Sequence, residues 1–356
     1  MNKNIIKGFV TGGAVLAAAA IMAGCTSVPK TEDDGLVSDS YSNTRELSAK
    51  FTVKHPTSID TRMEKNIQNR LLNGFENWNR GYDAWKAWGD ILYTKDSIYN
   101  VHGVRLTLEE YQNAMNMTFR YNTIYMGDFR NMLICGDWCA INYDIKTVNN
   151  ATGKTSDGGV IEFVKFADYG KNLGTRVVEG WGGTTGNDYN AMMSFESPEE
   201  QDMQNAHIQA ILDTKIPDTD NLAVKYPVKN PTSSTSLYKD MIENAVLNDF
   251  DSWNSGFDSW ASWAEGYYSK DAVIHTGGSD VTLSGYLSSL RDSETKTSVQ
   301  KVYFDNILIK DDWAALHYRT IKTDKATGKR VAGEAMEFIH FDVSGRTPVI
   351  TEIWIS

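Results

Sequence analysis

Cysteine, proline and positive charge are all scarce in this sequence. It has 3 cysteines and 7 prolines among 356 residues, which excludes a disulfide-stapled scaffold and a proline-rich disordered chain. Lys and Arg total 35 against 46 Asp and Glu, which gives a net charge of −11 without any basic cluster. Because such a surface repels polyanions, we expect no nucleic-acid partner and no direct attraction to an anionic membrane.

Motifs for cofactor or nucleophile chemistry are absent too. The sequence has no phosphate-binding glycine loop, no Ser-His-Asp set and no cluster of metal-ligating residues. We therefore expect no cofactor and no metal.

The composition is that of a folded protein. Hydrophobic residues make up 41% of the chain and charged residues 23%, which is typical of globular cores. A mass of 39.8 kDa is large for one ordinary domain and suits two.

The amino terminus is typical of an export signal. Lys3 and Lys7 precede an apolar run rich in Ala and Gly, and Met22-Ala23-Gly24-Cys25 resembles a bacterial lipobox. We predict that residues 1–24 are a lipoprotein signal peptide, that Cys25 carries lipid, and that residues 25–51 are a flexible tether. The protein would then be exported and anchored to a membrane of the bacterial cell envelope by lipid alone. A plain transmembrane or ordinary signal segment is the alternative.

A long segment of the sequence is repeated. The segment beginning at Phe75, FENWNRGYDAWKAWGDILYTKDS, matches FDSWNSGFDSWASWAEGYYSKDA beginning at Phe250, an offset of 175 residues. The same offset holds from Val53/Val228 to Gly170/Gly345. This duplication predicts domains at 52–186 and 227–356, joined by a linker with one helix at 187–226.

Each copy has helical periodicity first and strand alternation afterwards. Helices are predicted at 62–80 and 237–255, and Asp83 and Asp258 are placed to N-cap the second helix of each copy. A third helix and a run of antiparallel strands follow. The fold class is therefore α+β.

The order of short motifs carries a resemblance to a known family. WNxG[YF]D, YxKD, HTGG, GDW or DDW opening a strand, a Glu-bearing strand and a Trp-bearing last strand occur in that order. This series resembles the SnoaL-like polyketide cyclase branch of the nuclear transport factor 2-like superfamily. The resemblance implies three helices packed on a curved, mostly antiparallel sheet as a cone-shaped half-barrel around an apolar pocket. It also implies pairing through the sheets, so that domains 1 and 2 would form an internal pseudo-dimer.

The Glu-bearing strand is apolar on both faces. Its alternation places Ala335, Glu337, Ile339 and Phe341 together in the second copy, and the matching set around Glu162 in the first. We therefore expect one face to line the helices and the pocket, and the other face to pack on another sheet.

Glu162 and Glu337 are the main candidates for chemistry. Aliphatic neighbours at i±2 should raise the pKa of each carboxyl by desolvation, which suits a general acid or base. The resemblance implies that an acidic residue on this strand removes a proton from carbon, although the family has Asp there and its assisting loop histidine has no counterpart. The alternative is a Glu hydrogen-bonded to a buried tyrosine, Tyr143 or Tyr318.

His275 is the third candidate for catalysis. The first copy has Asn100 at the matching position, so a proton shuttle at His275 would equip only the second copy. A histidine on the surface or the pocket rim is the alternative.

Aromatic residues shared by both copies are the candidates for ligand binding. Most of the tryptophans are expected in the core, where they would also wall the pocket. The candidates are Trp85, Trp88, Tyr143, Trp181, Trp260, Trp263, Tyr318 and Trp354.

Cys135 and Cys139 flank a tight turn. A hairpin around Gly136-Asp137 places their thiols on opposite faces, which favours two small buried residues over a disulfide.

Three classes of function stay open. The first is a tethered protein that binds a small hydrophobic or aromatic molecule, because both copies keep their tryptophans while the histidines differ. The second is an isomerase, dehydratase or cyclase that removes a proton next to a carbonyl with Glu162 or Glu337. The third is a non-catalytic interaction module.

Overall fold

The computed structural model describes residues 51–101, 104–170, 173–184 and 198–356. Cys25 and nearly all of the predicted tether lie outside the described residues. The chain divides into two compact units. Unit 1 comprises the described parts of Met1–His55, Lys65–Asn131 and Ile141–Glu196, and unit 2 comprises those of Pro56–Glu64, Met132–Ala140 and Ser197–Ser356.

The first copy has its helices before its long strands. The order is β1 Val53–Pro56, α1 Arg62–Gly74, a 3-10 helix at Phe75–Arg80, α2 Tyr82–Leu92, β2 Ile98–Val101, β3 Val104–Thr107, α3 Leu108–Tyr121, β4 Asn122–Cys135, β5 Trp138–Asn149, β6 Thr155–Asp168 and β7 Thr175–Thr184. Its seven strands form one sheet in the order β1-β4-β5-β6-β7-β2-β3.

The second copy repeats that plan after a helical linker. The order is α4 Pro198–Leu212, α5 Leu222–Lys225, α6 Lys239–Asn254, α7 Phe257–Tyr267, β8 Tyr268–Thr276, β9 Ser279–Val281, α8 Leu283–Glu294, β10 Thr297–Lys310, β11 Trp313–Asp324, β12 Arg330–Asp342 and β13 Val349–Ile355. Its sheet order is β10-β11-β12-β13-β8-β9, with β13 and β8 parallel and the other pairs antiparallel. The predicted α+β class, with two separate sheets, is confirmed.

The first helix differs between the copies. We predicted one helix over 62–80, but α1 ends at Gly74 and a 3-10 helix continues from Phe75. Asp249 occupies the matching position in the second copy, and α6 runs through it to Asn254. Glycine is a poor helix former, which explains why the break falls at Gly74.

The predicted N-caps Asp83 and Asp258 are wrong. Gly81 (φ 89°) and Gly256 (φ 112°) precede α2 and α7, and neither helix has a side-chain cap. A positive φ suits glycine and strains other residues, so the cap position belongs to glycine. The two aspartates lie in the first turn instead, where the helix dipole favours a negative charge.

The linker holds two helices where we predicted one. Besides α4, the short α5 begins after Asn221, whose side chain accepts a hydrogen bond from the backbone N–H of Val224 at 3.3 Å. This capping interaction is sufficient for a single turn. The sequence favours Ser197 as the N-cap of α4, and this residue lies outside the described residues.

The remaining features agree with the sequence. Cys135 and Cys139 are free and buried, so the favoured alternative of two small buried residues is confirmed. In the described part of the chain, no helix is long and apolar enough to cross a membrane.

The core of unit 2 lies between its sheet and its helices. Phe250 of α6, Trp260 of α7 and Phe304 of β10 are buried in one hydrophobic cluster. Each large apolar side chain buried there stabilises the fold by roughly 1.5–3 kcal/mol. The same elements also surround a cavity.

Candidate functional site in the second copy

A cavity of about 180 Å³ lies within unit 2, among α6, α7, α8 and the sheet. Its walls are mostly aromatic and aliphatic, and its charged or hydroxyl-bearing residues are few. The aromatic lining residues are Trp253, Trp260, Trp263, Tyr268, Tyr286, Tyr318 and Phe341, and the polar ones are Asp249, Lys301, Thr320 and Glu337. A few polar groups in an apolar hollow are typical of a small-molecule site.

Strand alternation brings Glu337 into this cavity. Ala335, Glu337, Ile339 and Phe341, the set predicted to share one face of β12, all line it. Glu337 lies opposite Leu316 of β11, and Tyr318 lies two residues farther along that strand. The Tyr318 hydroxyl donates to Oε1 of Glu337 at 2.6 Å. The site therefore contains a carboxyl and a phenol in direct contact.

The carboxyl group of Glu337 is almost completely buried, with 6% of the residue exposed. Burial is the main cause that raises the pKa of Glu337 above its ordinary value, and the charge of Asp249 adds to the rise. The charge of Lys301 and the hydrogen bond from Tyr318 oppose it. Glu337 therefore keeps its proton to a higher pH than an exposed glutamate does.

An ion pair between Lys301 and Asp249 lies in the same cavity. Both side chains are largely buried, at 7% and 13% exposure, and Asp249 also accepts a hydrogen bond from Nε1 of Trp260 at 2.6 Å. Asn254 bonds the backbone N–H and C=O of Lys301 and so fixes this residue in β10. A buried charge pair with this support is held in one geometry.

Aromatic rings surround the Lys301 ammonium. Its Nζ lies 4.8 Å from the ring centre of Phe250, 5.0 Å from that of Trp253 and 5.3 Å from that of Tyr318. Cation–π attraction adds to the ion pair in keeping the ammonium group in place.

Each tryptophan of the cavity has a different partner. Trp253 donates its indole N–H to the backbone carbonyl of Val299 at 2.7 Å, while Trp263 stacks on Tyr267 with ring centres 4.8 Å apart. Among the described residues, the buried Nε1 of Trp263 has no hydrogen-bond partner. A buried N–H donor without a partner is costly to the fold.

The first copy keeps the Glu–Tyr pair and lacks the ion pair. Tyr143 donates to Glu162, whose pKa is raised by burial to about 8 although the Tyr143 bond opposes the shift. The alternative expectation, a buried tyrosine bonded to each glutamate, is therefore confirmed in both copies. At the positions of Asp249 and Lys301 the first copy has Gly74 and Met126.

Trp88 packs directly against Gly74. A Cβ at Gly74 would collide with the indole of Trp88, so the tryptophan occupies the space that a side chain would need. Trp88 and Trp85 are 2% and 1% exposed and belong to the packed core of the first copy. In the second copy Trp260 and Trp263, at the matching positions, line a cavity.

His275 and Trp354 are not brought together with Glu337. Ile353 and Ile355 line the cavity, so Trp354 between them faces the other side of the sheet. His275 lies opposite Trp354 on the neighbouring strand and is on that same side. The two rings stack 4.6 Å apart, and His275 contacts Asp280 at 2.7 Å and Glu352 at 3.0 Å. Trp181 of the first copy, which pairs with Asn100 and Phe163, is 4% exposed.

Burial alone would lower the pKa of His275. Its hydrogen bonds to Glu352 and Asp280 outweigh burial and raise the pKa above the ordinary value. His275 thus links strands β8, β9 and β13 through its contacts with Asp280 and Glu352.

Sequence reasoning missed Asp249, Lys301, Trp253 and Tyr286. The available signal was a difference between the copies, since Gly74 and Met126 replace the two charged residues in an otherwise similar pattern. Among the residues that the structure describes, no group of His, Cys, Asp and Glu is arranged to hold a metal ion.

No protein-family model and no curated protein matches this chain. Similar solved structures include a SnoaL-like polyketide cyclase from Agrobacterium tumefaciens, with 16% identity, a TM-score of 0.27, and coverage of 33% of this chain and 90% of that chain. IdmH from Streptomyces antibioticus has 14% identity, a TM-score of 0.28, and coverage of 32% and 89%. AclR from Streptomyces galilaeus has 17% identity, a TM-score of 0.27, and coverage of 33% and 89%. Likeness at this level says nothing about activity.

Proposed function

We propose that the second copy binds a small, largely apolar ring compound in the cavity of unit 2. The observation that carries this proposal is the 180 Å³ cavity itself, in which aromatic walls enclose the Glu337–Tyr318 pair and the Asp249–Lys301 pair. Aromatic walls provide contact area, and the polar groups fix the orientation of a ligand.

A larger hollow adjoins this cavity. It measures about 430 Å³, and Trp253, Trp260 and Val299 line both spaces. A ligand that enters from the larger hollow would pass the Trp253 indole, which the hydrogen bond to Val299 holds in position.

Native mass spectrometry of residues 26–356, which lack the signal peptide and Cys25, tests for a co-purified molecule. The added probe is 2-naphthol. Ala335→Leu fills part of the cavity and is expected to weaken naphthol binding, whereas Ala326→Leu at an exposed turn is the control. Equal binding by both variants, or none by the wild type, would contradict the proposal. Absence of binding would favour the non-catalytic interaction module.

A second candidate function is proton transfer next to a carbonyl group. The contact of Glu337 with Tyr318 inside the cavity favours it. The Glu337 carboxylate would take the proton from carbon and leave an enolate; return of the proton at another carbon completes an isomerisation without a co-reactant. With 2-tetralone as probe, Glu337→Gln is expected to abolish deuterium exchange while 2-naphthol binding persists. Unchanged exchange would exclude Glu337 as the base.

We also propose that Cys25 carries lipid and anchors the exported chain to the cell envelope. The run of residues from Lys3 to Cys25 supports this. Metabolic labelling with an alkyne fatty acid is expected to mark the wild type and not Cys25→Ser. Label on both proteins would contradict the assignment, and a plain signal or transmembrane segment would leave both unlabelled.

We further propose that each copy is a cone-shaped half-barrel and that the two copies pair within one chain. The duplication at a fixed offset supports this arrangement. Light scattering of residues 26–356 is expected to give the mass of one chain, whereas a mass of two chains would contradict internal pairing.

A further inference from the structure

The ammonium group of Lys301 is incompletely paired in the cavity. It has three N–H hydrogens, and its one hydrogen-bonded partner among the described residues is Asp249. Two of these hydrogens therefore have no conventional acceptor among the described residues.

Both carboxylate oxygens of Asp249 already accept a hydrogen bond. Its Oδ1 accepts from Trp260 at 2.6 Å, and its Oδ2 accepts from Lys301. A cationic ligand would therefore compete with Lys301 for this carboxylate, and Lys301 already lies over three aromatic rings. The arrangement disfavours an amine as ligand.

We propose that the ligand of this cavity is an aromatic or alicyclic carboxylate whose carboxylate oxygens accept hydrogen bonds from the ammonium group of Lys301. This inference rests on the proposed binding function and specifies its ligand class. A carboxylate has about four lone-pair sites and carries the charge opposite to that of the ammonium group, whereas a ketone oxygen is neutral. Hydrogen bonds between charged partners are also the stronger ones.

A lysine between two carboxylates already occurs in unit 2. Nζ of the buried Lys310 donates to Asp60 at 2.5 Å and to Glu64 at 3.1 Å. Lys301 would occupy the same kind of position between Asp249 and the ligand. Because the pKa of Glu337 is raised mainly by burial, this residue presents an O–H group over a wider pH range and adds no repelling charge there.

The first copy lacks the features that would recognise a carboxylate. Met126 replaces Lys301, Gly74 replaces Asp249, and Trp88 lies against the glycine. The Glu162–Tyr143 pair is nevertheless retained. The ion pair of the second copy therefore distinguishes the two copies where the shared Glu–Tyr pair does not.

The test compares 2-naphthoate with its neutral methyl ester by isothermal titration calorimetry on residues 26–356. The two probes share one ring system and differ in charge. Naphthoate is expected to bind about tenfold more tightly, which corresponds to the loss of one charged hydrogen-bond partner in the ester. Lys301→Met is expected to remove that advantage and to leave ester binding within about threefold.

Two controls keep the outcomes distinct. Lys322→Met removes the same charge at an exposed position of β11 and should leave both affinities unchanged. If Lys301→Met does not fold, the double variant Asp249→Asn/Lys301→Met replaces it, because it leaves no unpaired charge.

Each result decides between the two proposals. An ester that binds as tightly as naphthoate, or an advantage that persists in Lys301→Met, overturns the carboxylate assignment and leaves the cavity a site for neutral ligands. Failure of 2-naphthol, naphthoate and ester alike to bind overturns the proposed binding function itself.

Discussion

Tyr318 donates its hydroxyl hydrogen to Oε1 of Glu337 at 2.6 Å, and the same pair occurs as Tyr143 and Glu162 in the first copy. Each tyrosine lies 19 residues before its glutamate, on the strand that precedes the glutamate strand. A buried phenol and a buried carboxyl satisfy one another, so the pair is stable without a ligand. The specific feature of the second copy is therefore the added ion pair.

Glu162 makes stability depend on pH. Its pKa of about 8 in the fold, against 4.5 ordinarily, means that the folded chain holds a proton that the unfolded chain releases. The free energy of unfolding should therefore fall as pH rises from about 4.5 to 8, by at most about 1.4 kcal/mol per pH unit. Denaturant titrations of wild type and Glu162→Gln at several pH values measure this difference. Parallel pH profiles for the two proteins would contradict the buried protonated carboxyl.

Gly74 should not tolerate a side chain. Gly74→Ala forces a Cβ against the Trp88 indole and is expected to lower the free energy of unfolding by about 1–3 kcal/mol. Gly89→Ala is the matched control, because its Cβ would meet no atom closer than 3.8 Å. In the interior of α2 that change should stabilise by about 0.5–1 kcal/mol. Equal effects of both substitutions on urea denaturation would contradict the packing of Trp88.

The Asp249–Lys301 pair should show strong coupling. Lys301→Met alone leaves a largely buried aspartate unpaired and is expected to cost about 3–5 kcal/mol. The double variant Asp249→Asn/Lys301→Met should cost less than the sum of the single changes. A double-mutant cycle on the free energy of unfolding measures the coupling, and additive effects would mean that the pair is screened by water.

His275 should stabilise the fold most at low pH. Its raised pKa means that its contribution is complete below the ordinary value of 6.5 and is lost as pH rises through the folded-state pKa. Glu352→Gln removes one partner and is expected to lower the pKa of His275 in an NMR titration. Asp280→Asn should act in the same direction, and an unchanged titration in both variants would contradict the two contacts.

Two features of the site were predicted from the sequence. One is the alternation of residues on β12, which follows from the period of a single strand. The other is the hydrogen bond between Glu337 and Tyr318, which we gave as the alternative to a catalytic role. The cavity lining from Ala335 to Phe341 follows the same pattern.

Lys301 and Asp249 were not predicted because they act together across 52 residues of chain. On β10 a lysine ordinarily indicates a solvated position, and its burial depends on the rings of Phe250, Trp253 and Tyr318 from other elements. The N-cap prediction for Asp83 failed for a different reason. The N-cap of α2 is Gly81, whose positive φ suits glycine, whereas side-chain chemistry alone favours aspartate at an N-cap.

The cavity in unit 2 has a thermodynamic consequence. A molecule that occupies it in the folded chain and has no affinity for the unfolded chain stabilises the fold by mass action, by about 2.7 kcal/mol at a free concentration of about a hundred times Kd. Occupation of the cavity should therefore raise the melting temperature of the second copy, and the rise should grow with ligand concentration.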